Sequence, residues 1–432
     1  MRDRAEEIKR DAKEYFVPCQ VNEPIVVRGR GALVGDINGR QYIDCMGGPG
    51  VLNMGHCHPK VTEAAKRQID LLTQSPGQVY NAPTVALAKK LSEITPSGIK
   101  KVFFCNSGAE AVDGAIKLGL KYAIQRGKGG FGIVALDHAF HGRLSLPLSL
   151  TGLASRKKGF GPYATFPGVT RISAPYCYRC PLKYPDCGLH CVAELEEAFK
   201  VRAPGDIAIF IAEPILGVGG VIIPPDDYWP RVKEILDKND VLLIFDEIFA
   251  GFGRTGKMFA SQHWNVVPGI MTTAKSIGAG FPLGAFIAQD EVANAMAPGD
   301  HFTTFGGNNV VSAAAGLAGI EAILEEELTE NAAGVGAHLL TGLRRLMEGN
   351  PNIGDVRGKG LMIGVEIVKS KETKEPDSER TKRIATSLRD HGVLVNTTGA
   401  NANVIRITPP LVLSTSQADD ILMAMGEVLL RA

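Results

Sequence analysis

The chain has 432 residues, enough for one large domain or two to three modest ones. Hydrophobic residues make up 45% and charged residues 22%, which excludes a disordered, collagen-like or coiled-coil chain. With 47 basic and 46 acidic side chains the formal charge is +1, so no overall field draws in nucleic acid or an acidic membrane, and small neutral or zwitterionic partners fit better.

The first twenty residues, MRDRAEEIKRDAKEYFVPCQ, are charged and lack the apolar core of a secretion signal. No run of 18 apolar residues follows, so a cytoplasmic chain without a membrane partner is expected. Eight cysteines are sparse for a disulfide scaffold of this size, and reduced thiols are expected. Residues 24–33 and 34–46 read as short strands around the turn signal Asn38-Gly39. His56-Cys57-His58 runs into Pro59 and reads as a turn before a helix rather than a ligand pair. Continuous apolar runs at 102–105, 132–136, 207–212, 241–245 and 270–273 read as strands buried on both faces, with amphipathic helices at 110–123 and 228–238. This alternation predicts an α/β fold with a large, doubly wound, mostly parallel sheet over residues 60–311. Long helices at 311–327 and 332–347 and strands near 360–368 and 403–407 follow. Residues 1–59 and 312–432 are expected to build a smaller α+β domain from both termini. The charged run 369–382 reads as a solvated loop leading into a helix.

Each buried strand ends in polar or reactive residues: Cys105-Asn106-Ser107, Asp137-His138, Glu213, Asp246-Glu247 and Lys275. In open α/β sheets a ligand lies beyond the carboxyl ends of the strands, so these groups are expected to converge on one crevice. Lys275 is the only charged side chain between residues 264 and 289. Read by itself, it is either a buried amine with a lowered pKa, suited to a Schiff base, or a lysine that reaches the surface or pairs with one acid. Ser107, Gly108 and Ala109 stand at a strand-to-helix turn, which reads as a phosphate seat or as an ordinary serine cap. Asp246 must meet a cation, either a protonated ring nitrogen or a salt-bridge partner. Phe140 offers a flat face for a ring or is plain core. Lysine, acid, aromatic plate and phosphate seat together describe a pyridoxal phosphate site.

Two further motifs compete with that reading. Gly251-Phe252-Gly253-Arg254-Thr255-Gly256 matches GxGxxG, yet it lies five residues past its strand, with no acid about twenty residues on, so a dinucleotide site is not expected. Cys177, Cys180, Cys187 and Cys191, with His190 beside them, lie in a loop punctuated by Pro181, Pro185 and Gly188. Their spacing is not that of a standard zinc finger, and a metal, a disulfide and a packed thiol cluster all fit it. No metal is assigned to the site.

The sequence resembles the class III aminotransferases (ornithine, 4-aminobutyrate and alanine–glyoxylate type) of the fold-type I pyridoxal phosphate enzymes. The resemblance rests on GGPGVLNMGHCHP, NSGAEAVDGAIKLG, HAFHGR, AEPILGVGG, FDEIFAGFGRTG, TTAKSIGAGFPLGA, TTFGGNN, GDVRGKGLMIGVEIVK and VIRITPPL, in that order. It implies that Lys275 holds the cofactor as a Schiff base and serves as general acid–base. Asp246 binds the pyridine nitrogen, Phe140 stacks on the ring, Ile248 packs behind it and His141 joins the same pocket. Ser107, Gly108 and Ala109 hold the phosphate, with Thr304 reaching across from a second subunit of a homodimer or tetramer. Arg406 matches the arginine for the substrate α-carboxylate, and Arg143 the one that meets a distal carboxylate in 4-aminobutyrate enzymes. Val218 replaces the glutamate that neutralises the former arginine in 4-aminobutyrate and ornithine enzymes, and Phe249 replaces a glutamine beside the cofactor's phenolic oxygen. The implied reaction moves an amino group from an amino acid such as alanine or 4-aminobutyrate to a 2-oxo acid such as pyruvate, 2-oxoglutarate or glyoxylate. The C-terminal motif also resembles dialkylglycine decarboxylase, although Pro49 stands where that enzyme has a glutamine. Racemisation is a third chemistry open to the same acid–base apparatus, and a non-enzymatic metal or redox scaffold on the cysteine loop a fourth reading.

Overall fold

The computed structural model describes residues 2–19, 23–77, 79–203 and 206–431. Near the amino end, β1 (Val26–Arg30), β2 (Leu33–Asp36) and β3 (Gln41–Asp44) form an antiparallel meander, where two strands were expected. The next seven strands are β4 (Ile99–Cys105), β5 (Gly132–Leu136), β6 (Val169–Ile172), β7 (Ile207–Ala212), β8 (Leu242–Asp246), β9 (Ile270–Thr273) and β10 (Gly284–Gln289). They make one sheet in the order β4-β10-β9-β8-β7-β5-β6. Strands β6, β5, β7, β8 and β9 run parallel, and β10 is inserted antiparallel between β9 and β4. Every residue of β5 and β7 is buried, as expected of strands covered by helices on both faces.

The remaining strands are β11 (Ile353–Lys359), β12 (Met362–Ile367), β13 (Val393–Leu394), β14 (Asn396–Thr398) and β15 (Val404–Ile407). Strand β13 pairs with β3, so segments from both ends of the chain share a sheet. The other four form a second small sheet in the order β11-β12-β15-β14. Between these regions the helix Val310–Glu325 packs on the helix Pro59–Leu71. It is buried almost all round, and the Asn309 side chain caps it by accepting from Ser312 N.

The competing motifs resolve into structure. His56 Nε2 lies 2.8 Å from Asp44 and His58 Nε2 2.9 Å from Glu326, so the two histidines face different carboxylates just before the helix that starts at Pro59. Arg254 of the GxGxxG stretch is fully buried. It donates to Asn53 Oδ1 at 2.7 Å, to Leu361 O at 3.1 Å and to Pro409 O, while Asn53 Nδ2 donates back to Phe252 O at 2.7 Å. That stretch therefore joins three distant parts of the chain. The charged run leads, as expected, into a helix, Ser378–Asp390, capped by the Asp377 side chain.

Candidate active site

Beyond the carboxyl ends of β4, β5, β7, β8 and β9 lies a cavity of about 530 Å³. Ser107, Gly108, Ala109, Phe140, His141, Arg143, Val218, Asp246, Ile248 and Lys275 all border it. The parallel topology brings them together, because each follows a strand that ends at the same edge.

Asp246 closes β8 and is 3% exposed. Its Oδ1 accepts from Ile248 N at 3.1 Å, and its Oδ2 lies 2.8 Å from Nδ1 of the buried His141. The histidine's Nε2 has no hydrogen-bond partner. Glu213, at the end of β7, accepts from Phe140 N and Gly217 N, both at 2.9 Å. Burial, helped by the negative charge of Asp246, pushes its carboxyl up to about 7. These bonds tie the Phe140 turn and the Gly217 turn to one buried acid.

Lys275 follows β9 with a backbone φ of +52°, in the left-handed region that is strained for a side chain of this kind. Burial lowers its amine to about 8, against the opposing pull of Asp246. Opposite stands the helix Gly108–Gln125, whose first-turn N–H groups face the cavity end lined by Ser107, Gly108 and Ala109. The Ser107 hydroxyl caps the helix by accepting from Glu110 N at 3.3 Å. A β-carbon on Gly108 would come within 2.8 Å of Ile248 Cδ1, so glycine is what lets the helix start so close to the pocket floor. An anion seat, a carboxylate, an aromatic face and a depressed amine around one cavity suit a flat, phosphorylated carbonyl compound with a basic ring nitrogen.

Three expected residues lie elsewhere. Pro49 does not border the cavity, because the turn at residues 47–50 passes behind Phe249 and Val51 is the residue presented. Thr304 is exposed and outside the cavity, and its carbonyl accepts from Gln74 Nε2. Arg406, on β15, stands one layer back, 4.7 Å from the Phe249 ring centroid, with its Nε lacking a partner. Burial brings its guanidinium down to about 10. Reading from sequence also left Val51, Phe281 and Leu283 out of the lining; all are apolar and carry no chemical signal. Glu213 did carry one, since it ends a buried strand just as Asp246 does.

The four clustered cysteines line a separate cavity of about 450 Å³ with His138 and His190. None of the eight cysteines is bridged, and no group of three metal-binding side chains occurs among the described residues. Nor is any helix among them long and apolar enough to cross a membrane.

Comparison with known proteins bears on the chemistry. The family model described as aminotransferase class-III matches residues 17–429. An acetylornithine aminotransferase of Methanothermobacter thermautotrophicus is 41% identical over 98% of this chain and 99% of its own. A leucine/methionine racemase of Thermococcus litoralis is 38% identical over 92% and 88%. An amine transaminase from an uncultivated Pseudomonas species, solved in a PLP-bound form, superposes with a TM-score of 0.90 at 34% identity, over 97% of this chain and 98% of that one.

Proposed function

The chain belongs to the class III aminotransferases, enzymes that use pyridoxal phosphate, and from that premise we propose that its substrates are amino acids and 2-oxo acids recognised through an α-carboxylate. The observation that supports this reading is Arg406: 7% exposed, beside the cavity wall, and without an ion pair to any carboxylate among the described residues. A guanidinium desolvated in this way is stabilised by a carboxylate that arrives with the substrate.

Bound pyridoxal phosphate supplies an aldehyde that condenses with amines and a ring that accepts electron density from the carbon losing its proton. In our reading Lys275 Nζ, lowered to about 8, would take the proton from the substrate α-carbon and return it to the cofactor's former aldehyde carbon, two bonds away across the linking nitrogen. Asp246, whose carboxylate is fixed by His141, would keep a proton at the ring nitrogen. Phe140 would cover the ring, Ile248 would support it, and Ser107, Gly108 and Ala109 would hold the phosphate. Arg406 takes the α-carboxylate, and Arg143, exposed at the cavity rim 5.7 Å from the Phe140 ring, meets a second carboxylate where the substrate has one. Thr304, outside its own cavity, is assigned to the site of a second subunit, which makes the working unit a homodimer. The unbridged cysteines suit the cytoplasm.

Single-turnover absorption spectra test this. Adding L-alanine or 4-aminobutyrate without an acceptor is expected to convert the yellow enzyme to its pyridoxamine form, with one oxo product per site and L-alanine the faster donor. A band that persists while alanine racemises or releases carbon dioxide would replace transamination as the main activity. Conversion by 4-aminobutyrate alone would overturn the α-carboxylate reading.

A further inference from the structure

Phe249 touches both cations of the site. Its ring centroid lies 4.6 Å from Lys275 Nζ and 4.7 Å from the guanidinium carbon of Arg406. The ring is 6% exposed and closely confined by backbone. A β-carbon on Gly50 would fall 2.5 Å from Phe249 Cε2, and one on Gly217 2.7 Å from Cδ1. Two glycines from separate turns thus allow the main chain to close on the edges of one ring. An aromatic face carries negative potential, and a desolvated cation against it is held without being neutralised. A guanidinium stacks through its flat face and donates through N–H groups in its plane, so a ring and a carboxylate do not compete for it.

We propose that Phe249 is a positioning residue for substrate recognition: its ring holds Arg406 at the cavity in place of an acidic partner and leaves the full positive charge for the substrate carboxylate in both half-reactions. This rests on the reading of Arg406 given above. A carboxylate in the same place would also position the arginine, but it would have to be displaced each time a substrate bound. The aromatic face removes that competition, which narrows the enzyme toward substrates that bring an α-carboxylate with both the amino and the oxo partner.

The test uses holoenzyme and a probe without an amine, propionate, compared with propionamide, which has the same shape and no charge. Dissociation constants come from spectral titration or calorimetry on the wild type, on Phe249→Leu, and on a series carrying mono-, di- and trifluorinated phenylalanine at position 249. Wild type is expected to prefer propionate at least tenfold. Leucine at 249 is expected to weaken propionate by about 10- to 30-fold, the range of a desolvated cation–π contact, with propionamide unmoved. Fluorination is expected to weaken propionate stepwise as the ring loses its negative face while nearly keeping its shape. The fluorinated series decides the matter if the leucine variant fails to fold. Propionate affinity that stays level across the series overturns the proposal and makes Phe249 a spacer, even if leucine weakens binding. No preference for propionate in the wild type overturns the Arg406 reading itself, and the Phe249 proposal falls with it.

Discussion

Replacing Arg357 with methionine tests how the wall of the cavity is held. Arg357 Nη1 donates to Asp355 and to Glu366, each at 2.7 Å, and its Nη2 donates to the Tyr176 hydroxyl at 2.8 Å and to Gly220 O at 2.6 Å. Its Nε reaches Gly220 O and Val221 O at 3.0 Å. The Glu366 side chain is fully buried and also accepts from Arg179 Nε at 2.6 Å. Methionine keeps the stem and deletes the charge, leaving Glu366 short of a partner and two loop carbonyls unanchored. Because Arg179 still pairs with Glu366, the cost is that of losing a charged hydrogen-bond donor, about 1.5–3 kcal/mol. Urea unfolding followed by circular dichroism at pH 7 should show that loss as a lower midpoint at unchanged slope. Burial raises the Glu366 carboxyl, but Arg357, Tyr176 and Arg179 outweigh it and set its pKa below the ordinary 4.5. Stability from this carboxylate is therefore present above pH 4.5 and disappears as pH falls through the lower folded value, so the gap between wild type and variant should close in acid. Because Val218, two residues before Gly220, borders the cavity, KM should rise with the instability. A loss below about 1 kcal/mol at pH 7, or a gap that does not narrow in acid, would refute the argument.

Asp246→Asn should slow the alanine half-reaction by about 10²-fold or more, measured by stopped-flow absorbance, because a neutral amide no longer favours a proton on the ring nitrogen; a drop under tenfold counts against the assignment. Apoenzyme should capture pyridoxal phosphate at a rate that climbs about tenfold per pH unit and levels near pH 8, where Lys275 loses its proton. A climb that continues to pH 10 would show an ordinary lysine. Glu213 binds its proton more tightly folded than unfolded, so its ionisation disfavours the native state between about 4.5 and 7. Relative to wild type, Glu213→Gln should gain stability as pH rises through that window, a trend that unfolding midpoints at several pH values can check.

Much of the large sheet is legible in the sequence, because strands such as Gly132–Leu136 and Ile207–Ala212 are buried on both faces and read as unbroken apolar runs. Two strands escaped for different reasons. Val169–Ile172 is a four-residue edge strand only partly buried, and Gly284–Gln289 hides in a glycine-rich run whose length does not distinguish strand from loop. The convergence of Ser107, Phe140, Asp246 and Lys275 was also readable, since parallel strands carry their carboxyl ends to one edge. The lack of an ion-paired acid at Arg406 was foreshadowed only through the resemblance, by Val218 in place of a glutamate, and the ring the arginine packs on was not legible at all. Whether a buried cation lacks an acid is a property of every chain segment around it, and the Phe249 contact joins residues more than 150 positions apart. The lining by Val51 in place of Pro49 was not legible either, because a tight turn presents one neighbour to a pocket and hides the next.

Arg254 sets the order in which the molecule can be completed. During synthesis Asn53 and Arg254 emerge well before the carbonyls of Leu361 and Pro409 that complete the arginine's hydrogen bonds. Until residue 409 clears the ribosome, that guanidinium has to stay hydrated or be buried short of acceptors. Arg406 joins β15 in the same late stretch of chain. Release of the last few dozen residues therefore completes the hydrogen bonds of Arg254 and adds Arg406 to its sheet in one interval, and a chain that stops short of β15 has neither.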